Sequence, residues 1–463
     1  MKQAKTTASK ARKTVQKTKK TTKKSKMPLR SSRHHMSLLG LAVLGVAGLS
    51  AVAVATLGSS DDVAAKAARP PATPPAVVTP HVAQTLTVAK DGSGTYTTIQ
   101  AAANVAQAGD TVEIGAGTYQ EAVKPTNSGT VSAPITYKNR AGEKVIIDGK
   151  KSLYSTNGLV NLDGKSNINM SGISVLNSPK HAIYGYQVNN INLDQVEVGA
   201  SSDGGIVMIT GTNVVISNSD IHNTNDKGTS ANNEAISINN INGFEVKNNK
   251  VYNCGEEGID AKYGATNGTI HDNQAYSNRG PNIYLDAATN TKVYNNIARN
   301  ATNNTKAGIM LAVESYAAVK KLDNIDIFNN QLINNQGSGV VFWKENNNYV
   351  VSNIRIVNNV MYGNSKNGIN FGAGGFTGTN VVRNNIMTGN VSTATAGTVG
   401  NFSLSNNLTT GNPLYVSPTT GDFHLLAGSP AIDTGNAMLA PAFDFANSAR
   451  PQGAGYDMGV FEQ

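Results

Sequence analysis

Cysteine is nearly absent from this chain, because Cys254 is the only one in 463 residues. No disulfide bond can form within the chain, so stability outside a cell would have to come from a packed core. Tryptophan is equally rare, with Trp343 alone, and charged residues make up only 15% of the sequence. These absences leave the stacking of ordinary apolar residues as the source of stability.

Acidic residues are missing from residues 1–35, which carry 13 of the 39 Lys and Arg. The other 26 basic residues stand against all 30 Asp and Glu, so the net charge of +9 describes this tail and not the rest of the chain. A run of this kind is predicted to be a disordered, solvated topology signal on the cytoplasmic side. Binding of nucleic acid or anionic lipid by the tail is the less favoured alternative.

Long apolar runs are also scarce, and the one that stands out is Ser37–Leu57, 21 residues without a charge. Its length predicts a membrane-spanning helix at residues 36–58. The small residues of Ala51–Ala55 keep a cleavable signal open as the alternative. A Pro- and Ala-rich linker follows at 59–84. Because the basic residues precede the apolar segment, the body of the protein is expected at the cell surface or secreted. It is expected to be a monomer.

Asparagine, in contrast, recurs in a regular pattern. Six segments share the order apolar-x-Asn-Asn, with Asp replacing the first Asn in one of them, at intervals of 23 to 34 residues. One coil of a β-helix needs a repeat of this length. Amides stacked about 4.8 Å apart can hydrogen-bond along the axis, so a structural role is predicted for them. The segments are Val246–Asn249, Ile270–Asn273, Val293–Asn296, Ile327–Asn330, Ile356–Asn359 and Val382–Asn385.

Two rows of apolar residues accompany this pattern. The first position of the six segments continues upstream through Met170, Leu193 and Ile216. A second row keeps a shared offset from the first, which predicts two strands per coil, each stacked on its counterpart around one continuous core. The predicted fold is therefore an all-β parallel solenoid at residues 85–405. The second row is Ile183, Ile206, Ile236, Ile259, Ile283, Ile309, Val340 and Ile369.

The two ends of the solenoid have their own signals. Thr98–Ala108 has helical character and stops at Gly109, and a short helix here is predicted to cover the open edge of the first coil. Residues 406–463 are predicted to form a closing segment. Strands after the helix are predicted at Thr111–Ile114, Tyr119–Val123, Ile135–Lys138 and Val145–Asp148.

The opening KDGSGTYTTIQAAANVAQAGDTVEIGAGTYQEAV and the later APITYKNRAGEKVIIDG resemble the entry coils of pectate-lyase-like right-handed β-helix proteins. Residues 412–463 are similar to the closing segment of secreted bacterial β-helix proteins. The resemblance implies a right-handed parallel β-helix. The Asp-Phe-Ile-Phe-Gly segment of pectin methylesterases is absent, as are the Gly-His-Gly and Arg-Ile-Lys signatures of polygalacturonases.

Charged residues at strand positions that face outward predict a site. Because alternate residues of a strand point to opposite faces, Asp260 and Lys262 point outward when Ile259 points into the core. The same alternation turns the corresponding residues of the neighbouring coils outward. Four carboxylates in one groove repel each other by about 1 to 4 kcal/mol per pair at 4 Å, so a cation is expected among them. Calcium takes six to eight oxygen ligands and suits such a cluster. The predicted ligands are Glu234, Glu256, Glu257 and Asp260.

The segment Glu256-Glu257-Gly258-Ile259-Asp260 is similar to the Asp-Asp-Gly-x-Asp calcium segment of family 9 pectate lyases. Glu234 falls one coil earlier, where that family has a further calcium ligand. The resemblance implies a catalytic lysine one coil later, but Tyr284 stands in its place, and three of the four ligands are Glu instead of Asp. Chondroitinase-B-like and alginate lyases are related alternatives.

The resulting hypothesis is a polysaccharide lyase that cleaves an acidic, uronic-acid-containing glycan by calcium-assisted β-elimination. Tyr284 or Lys262 is the predicted base and Arg279 the predicted stabiliser of substrate or charge. Predicted substrate contacts are Asn239, Asp286 and Trp343. The alternative is a non-catalytic surface protein, either a glycan-binding module or an adhesin, that uses the same groove. A hydrolase or C5-epimerase is a third option, but no acid pair is isolated from the predicted metal cluster.

Overall fold

Short strands that pair in parallel with their counterparts one coil away build the molecule, as seen in a computed structural model that describes residues 81–463. The result is a right-handed parallel β-helix of about 12 turns. Each coil contributes to three faces, which we name the ladder sheet, the site sheet and the third sheet. Within residues 81–463 no helix is long and apolar enough to span a membrane. The span predicted at Ser37–Leu57 lies outside the described residues.

Three long strands, His181–Asp194, Ile206–Ser217 and Ile236–Lys247, run continuously through the site sheet and the ladder sheet and join them into one 20-stranded sheet. The other strands of the site sheet are Gly158–Asn161, Ile259–Lys262, Ile283–Asp286, Ala307–Val313, Ser338–Lys344, Ile369–Asn370 and Thr395–Ala396. The other strands of the ladder sheet are Thr85–Val88, Thr111–Ile114, Ile135–Asn139, Ser166–Ser171, Thr266–His271, Thr289–Tyr294, Lys321–Phe328, Val350–Val357, Asn380–Arg383 and Phe402–Ser405.

The third sheet has ten short strands. The predicted strand Tyr119–Val123 is shifted, since the structure places a strand at Gly117–Tyr119 and only an isolated bridge at Val123. The other three strands predicted near the entry are found within one residue of their predicted bounds. The third sheet comprises Gly117–Tyr119, Val145–Asp148, Ile173–Leu176, Glu197–Gly199, Asp220–His222, Lys250–Tyr252, Gln274–Tyr276, Ile297–Arg299, Gln331–Ile333 and Val360–Tyr362.

Both predicted apolar rows are confirmed by the strand register. In the ladder sheet Met170 pairs with Leu193, Leu193 with Ile216 and Ile216 with Val246, and the row continues to Val382. In the site sheet the row from Ile183 to Ile369 pairs in the predicted order. These residues belong to one core that runs the length of the solenoid.

The predicted asparagine ladder is confirmed as a continuous chain of hydrogen bonds. The amide Nδ2 of Asn273 donates to Oδ1 of Asn296 at 3.0 Å, and Asn296 donates to Asn330 at the same distance. The backbone N–H of each residue donates to the same oxygen. These side chains are buried. The amides therefore satisfy the main chain at the same corner of successive coils and link those coils to each other. The full ladder is Asn249, Asn273, Asn296, Asn330, Asn359, Asn385 and Asn407.

A helix at Ile99–Val105 precedes the first full coil. Thr98 caps it by accepting a hydrogen bond from the Ala101 N–H, and the Glu121 carboxylate accepts the N–H groups of Ile99 and Gln100. A carboxylate at this position satisfies free N–H groups and interacts well with the helix dipole. The role of this helix as a cover for the first coil stays a prediction.

The C-terminal segment packs on the outside of the coils. It contains the antiparallel strands Tyr415–Ser417 and Asp422–Leu425 and a small apolar cluster with Ile333, Val360 and Ile386 of the coils. Asparagine side chains of the coil turns also donate to its carbonyls, among them Asn358 to Asp457 and Gly459, Asn329 to Phe443, and Asn384 to Asn436.

Replacing one asparagine of the ladder tests how much the ladder contributes to stability. Asn296→Ala removes the acceptor of the Asn273 N–H groups and the donor to the Ile270 carbonyl. We expect the free energy of unfolding to fall by at least about 2 kcal/mol, since each buried polar group left without a partner costs about 1–3 kcal/mol. Urea denaturation provides the measurement. The matched control is Asn242→Ala at an exposed amide, for which we expect a change below about 0.5 kcal/mol. Equal losses in the two variants would contradict a structural role for the buried ladder.

Candidate functional site

The site lies on the outer surface of the site sheet, because alternate residues of its strands leave the core. Ile259 and Ala261 belong to the core cluster, so Asp260 and Lys262 between and after them face away from it. Strand register then aligns these outward residues into two rows along the axis, as the sequence predicted. The first row contains Ser237, Asp260 and Tyr284, and the second Asn239, Lys262, Asp286, Ala312 and Trp343.

Lys262 is at the centre of the arrangement. Its Nζ lies 2.5 Å from Oε2 of Glu234 and 3.2 Å from Oδ2 of Asp260. The lysine side chain is 6% exposed and that of Asp260 only 1%. The ring of Tyr263 lies 5.1 Å from the ammonium, within the range of a cation–π contact. The protein thus places its own cation among the predicted calcium ligands.

A second group of contacts connects Tyr284 to the loop after the next strand. The Tyr284 hydroxyl donates to Oε1 of Glu314 at 2.8 Å, and the backbone N–H of Glu314 donates to Oδ1 of Asp286 at 2.8 Å. The other oxygen of Asp286 is buried without a hydrogen-bond partner. Glu314 was not among the predicted site residues. It comes directly after the strand Ala307–Val313, where the sequence repeat does not indicate which residue of the next coil lies beside it.

Two further ion pairs form the rim of the groove. The guanidinium of Arg279 contacts the Glu256 carboxylate, and its Nε donates to the Gly255 carbonyl at 2.6 Å. Lys306, which the sequence did not single out, lies 3.6 Å from Glu257. These side chains are more open than the centre, with 35% of Arg279 and 15% of Glu256 exposed. The rim is therefore the part of the cluster that a ligand in solution reaches first.

Burial shifts the protonation of the acids in this cluster. It raises the pKa of Glu256 to about 7, with the charge of Glu257 adding to the effect and Arg279 opposing it. Burial and the neighbouring Glu314 raise the pKa of Asp286 to about 7. The pKa of Asp260 is raised well above its usual range, mainly by burial, although Lys262 opposes this. Several of these acids therefore hold a proton near neutral pH.

The two predicted bases are both protonated under the same conditions. Burial and then the charges of Asp286 and Glu314 raise the pKa of Tyr284 well above its usual value. Burial alone would lower the pKa of Lys262, but Glu234 and Asp260 together raise it well above its usual value. A catalytic base needs a pKa near the working pH. In this structure Lys262 is a paired cation and Tyr284 donates a hydrogen bond to Glu314, and the role of either residue as a base stays a prediction.

The calcium prediction meets a similar difficulty. Nowhere in residues 81–463 are three or more His, Cys, Asp or Glu side chains arranged to hold a metal ion. Of the predicted ligands, Glu234 and Asp260 are bound to Lys262, Glu256 to Arg279, and Glu257 lies near Lys306. Arranged in this way, the four carboxylates do not fit calcium. Dependence on calcium stays a prediction.

Of the three predicted substrate contacts, Trp343 and Asn239 are partly open and Asp286 is fully buried. Trp343 packs beside a small apolar cluster on the same outer surface, made of Tyr284, Ala307, Met310 and Ala312. The charged groups and this apolar patch are therefore neighbours along the solenoid axis. An apolar surface beside polar groups is the composition common in glycan grooves.

Comparison with known proteins agrees with the fold. Residues 157–310 and 227–354 match the family model described as right handed beta helix region. One curated relative is the uncharacterized protein YwoF of Bacillus subtilis (strain 168), 30% identical over 192 residues, which cover 36% of this chain and 39% of that protein. The match thus spans well under half of the relative's length.

Among solved structures, pectate lyase Pel9A has a TM-score of 0.54 at 16% identity, with 82% of this chain and 96% of that chain covered. An alginate lyase from Paenibacillus sp. str. FPU-7 has a TM-score of 0.42 at 17% identity, covering 58% of this chain and 93% of that one. At such identities the likeness concerns the fold alone. The protein is thus of the right-handed parallel β-helix class, with a pectate-lyase-like fold.

The pKa of Asp286 predicts a pH-dependent stability. An ordinary Asp ionises near pH 4, but in the folded protein Asp286 keeps its proton until about 7. The unfolded state therefore binds fewer protons between these values, and the contribution of Asp286 to stability declines as the pH rises through that window. We expect Asp286→Asn to be more stable than the wild type at pH 8 and equal to it near pH 4. Thermal unfolding across this range measures the difference, and a gap that is constant with pH would contradict the shifted pKa.

Proposed function

We propose that this protein is a carbohydrate-active enzyme that binds a glycan along the outer surface of the site sheet and hydrolyses it. Glu256 is the proton donor in this proposal, and Glu257 is the partner carboxylate. The observation that carries it is the pKa of Glu256, raised to about 7 at a side chain that remains partly exposed. An acid that still holds its proton near neutral pH, with a second carboxyl group nearby, is what glycoside hydrolysis requires of its proton donor.

The reaction then needs only groups of the rim. Glu256 transfers its proton to the glycosidic oxygen as the bond to the anomeric carbon breaks. Glu257 removes a proton from a water molecule, whose oxygen forms the new bond to that carbon. Arg279 holds the Glu256 side chain at the groove, and Lys306 does the same for Glu257. The products are two shorter glycans, and the proton that Glu257 gained restores Glu256 through solvent.

The balance of charge favours a neutral or weakly charged glycan. With pKa values raised to about 7, Glu256 and Asp286 are about half protonated near neutral pH, and burial raises the pKa of Asp260 well above its usual range. The three cations of the site each face a carboxyl group, Lys262 that of Glu234, Arg279 that of Glu256 and Lys306 that of Glu257. A groove without excess positive charge does not attract a polyanion electrostatically.

Sugar rings would extend from the rim toward the apolar patch. Trp343 lies in the same row as Lys262 and Asp286, two coils beyond Asp286. Coils are spaced about 4.8 Å apart, so the indole lies about 10 Å along the axis from that position. This matches roughly two sugar units, and aromatic rings are favourable platforms for the apolar faces of sugars. Asn239 offers a polar contact at the opposite end of the row.

Elimination from a uronic-acid polymer is the second candidate, and the partly exposed cations of the rim favour it. Arg279 is 35% and Lys306 29% exposed, so either can face a uronate carboxylate. The base would then be a carboxylate of the rim, since Tyr284 and Lys262 hold their protons. Calcium belongs to this second proposal as the predicted cofactor. A position outside the cell, with an N-terminal membrane anchor or signal, is proposed from residues 36–58 alone.

Substitution of the proposed proton donor tests the hydrolytic mechanism. We expect Glu256→Gln to lower kcat by about 100-fold or more, because general acid catalysis contributes about 100- to 10,000-fold. The assay measures new reducing ends on neutral polysaccharides and on pectate, alginate and chondroitin, with calcium or with EDTA. The control, Asp272→Asn, alters an exposed acid whose left-handed backbone (φ 55°) accommodates asparagine.

The products distinguish the remaining possibilities. Reducing ends that Glu256→Gln leaves undiminished would show that the proton donor is wrongly assigned. Products with the ultraviolet absorbance of an unsaturated uronate would establish elimination instead, and loss of that signal in EDTA would support calcium. Binding of a glycan without any cleavage would favour the non-catalytic alternative.

A further inference from the structure

We infer that Lys262 is a built-in cation, which takes the place of a divalent ion among the site's carboxylates and makes the site independent of bound metal. The corollary is that removing the lysine charge converts the same carboxylates into a calcium site. This inference goes beyond the proposed function, since it does not depend on which bond, if any, the protein cleaves.

The contacts of the ammonium carry the first step. Its Nζ bonds Glu234 at 2.5 Å and Asp260 at 3.2 Å, on two neighbouring coils whose register is fixed by the pairing of Ile236 with Ile259. The Glu234 side chain is 13% exposed, and the lysine and Asp260 are nearly inaccessible. Two buried acids share this one cation, and a charge on either of them would be unfavourable without it.

Unused oxygen atoms carry the second step. Asp260 is only 1% exposed, and its Oδ1 atom is buried without a hydrogen-bond partner. Oδ2 of Asp286 is in the same condition, and Asp286 is the strand neighbour of Lys262 on the next coil. Buried polar atoms without partners are rare and costly. The site therefore offers more oxygen atoms than one ammonium satisfies, and carboxylate oxygens are the ligands that calcium prefers.

The position of Lys262 in the same chain explains why its ammonium group, and not a free divalent ion, occupies the space between the carboxylates. Lys262 is on the same strand as Asp260, two residues later, so both side chains leave the same face of the sheet. A tethered charge is present at high effective concentration, whereas a free ion must displace it and bring six to eight oxygens into range. With the ammonium in place, too few carboxylates converge for an ion. The carboxylates that resemble a calcium segment in sequence are thus used for an internal ion pair.

Calcium titration of the full-length protein tests the inference. We expect no heat of binding by isothermal titration calorimetry and no calcium-dependent change of Tm for the wild type. Lys262→Met keeps most of the side-chain volume and removes the charge, and we expect it to bind about one calcium ion with a Kd of about 1 mM or below. Its Tm should rise with added calcium chloride because the ion binds only the folded state.

Two controls separate this site from general electrostatics. Lys247→Met removes the cation of an exposed ion pair, with Glu245 at 2.7 Å, and is expected to bind no calcium. The double variant Lys262→Met/Asp260→Asn removes one carboxylate as well, and is expected to fold and to lose the calcium response. If Lys262→Met folds only when calcium is present, that result also supports the inference.

Three results would overturn it. The first is stoichiometric calcium binding by the wild type that Glu234→Gln abolishes. The second is a folded Lys262→Met variant whose Tm and calorimetry do not respond to calcium. The third is failure of Lys262→Met to fold at any calcium concentration. None of these depends on glycan cleavage, so a failed cleavage assay leaves the inference standing.

Discussion

Hydrogen bonding along the axis is the constraint on which the rest of this structure depends. Each coil is too short to bury its own apolar face, so every strand relies on the register of the coil above and below. The buried asparagines hold that register, because the Oδ1 atom of one accepts both the backbone N–H and the side-chain amide of its neighbour on the adjacent coil. Once two coils are in register, outward side chains at equal positions become neighbours. The site is a consequence of this stacking, since residues more than 20 positions apart in sequence meet there.

Repeating features were predictable from the sequence because they recur. The apolar rows and the ladder have a constant offset, so each coil confirms the others, and strict alternation then gives the outward direction of Asp260, Lys262 and Tyr284. Glu314 and Lys306 escaped prediction for the opposite reason. Each lies next to a stretch of irregular length between coils, where periodicity carries no information about which residue faces the groove.

The predicted metal site meets an obstacle of a different physical kind, and calcium binding stays a prediction. The acid pattern predicts four carboxylates beside Lys262 and gives the lysine the role of a candidate base. The lysine is two residues after Asp260 in one strand, so alternation alone places both on one face. Burial then keeps the two side chains together, because a buried charge without a partner is costly. The resemblance to a calcium segment concerned residue types, whereas the structure depends on which charges are tethered together.

The uneven spacing of the ladder has a further consequence. Consecutive rungs are 23 residues apart between Asn273 and Asn296 but 34 apart between Asn296 and Asn330. The bonds between them are nevertheless alike in length. Part of the additional chain lengthens the strands Ala307–Val313 and Lys321–Phe328, and the rest lies in the loops between strands. Some of it emerges beside Glu314, at the margin of the groove. Natural variation can therefore lengthen or shorten the walls of this groove while the core keeps its geometry. A β-helix of this kind can acquire a new ligand through changes in its loops, without changes in the residues that determine its fold.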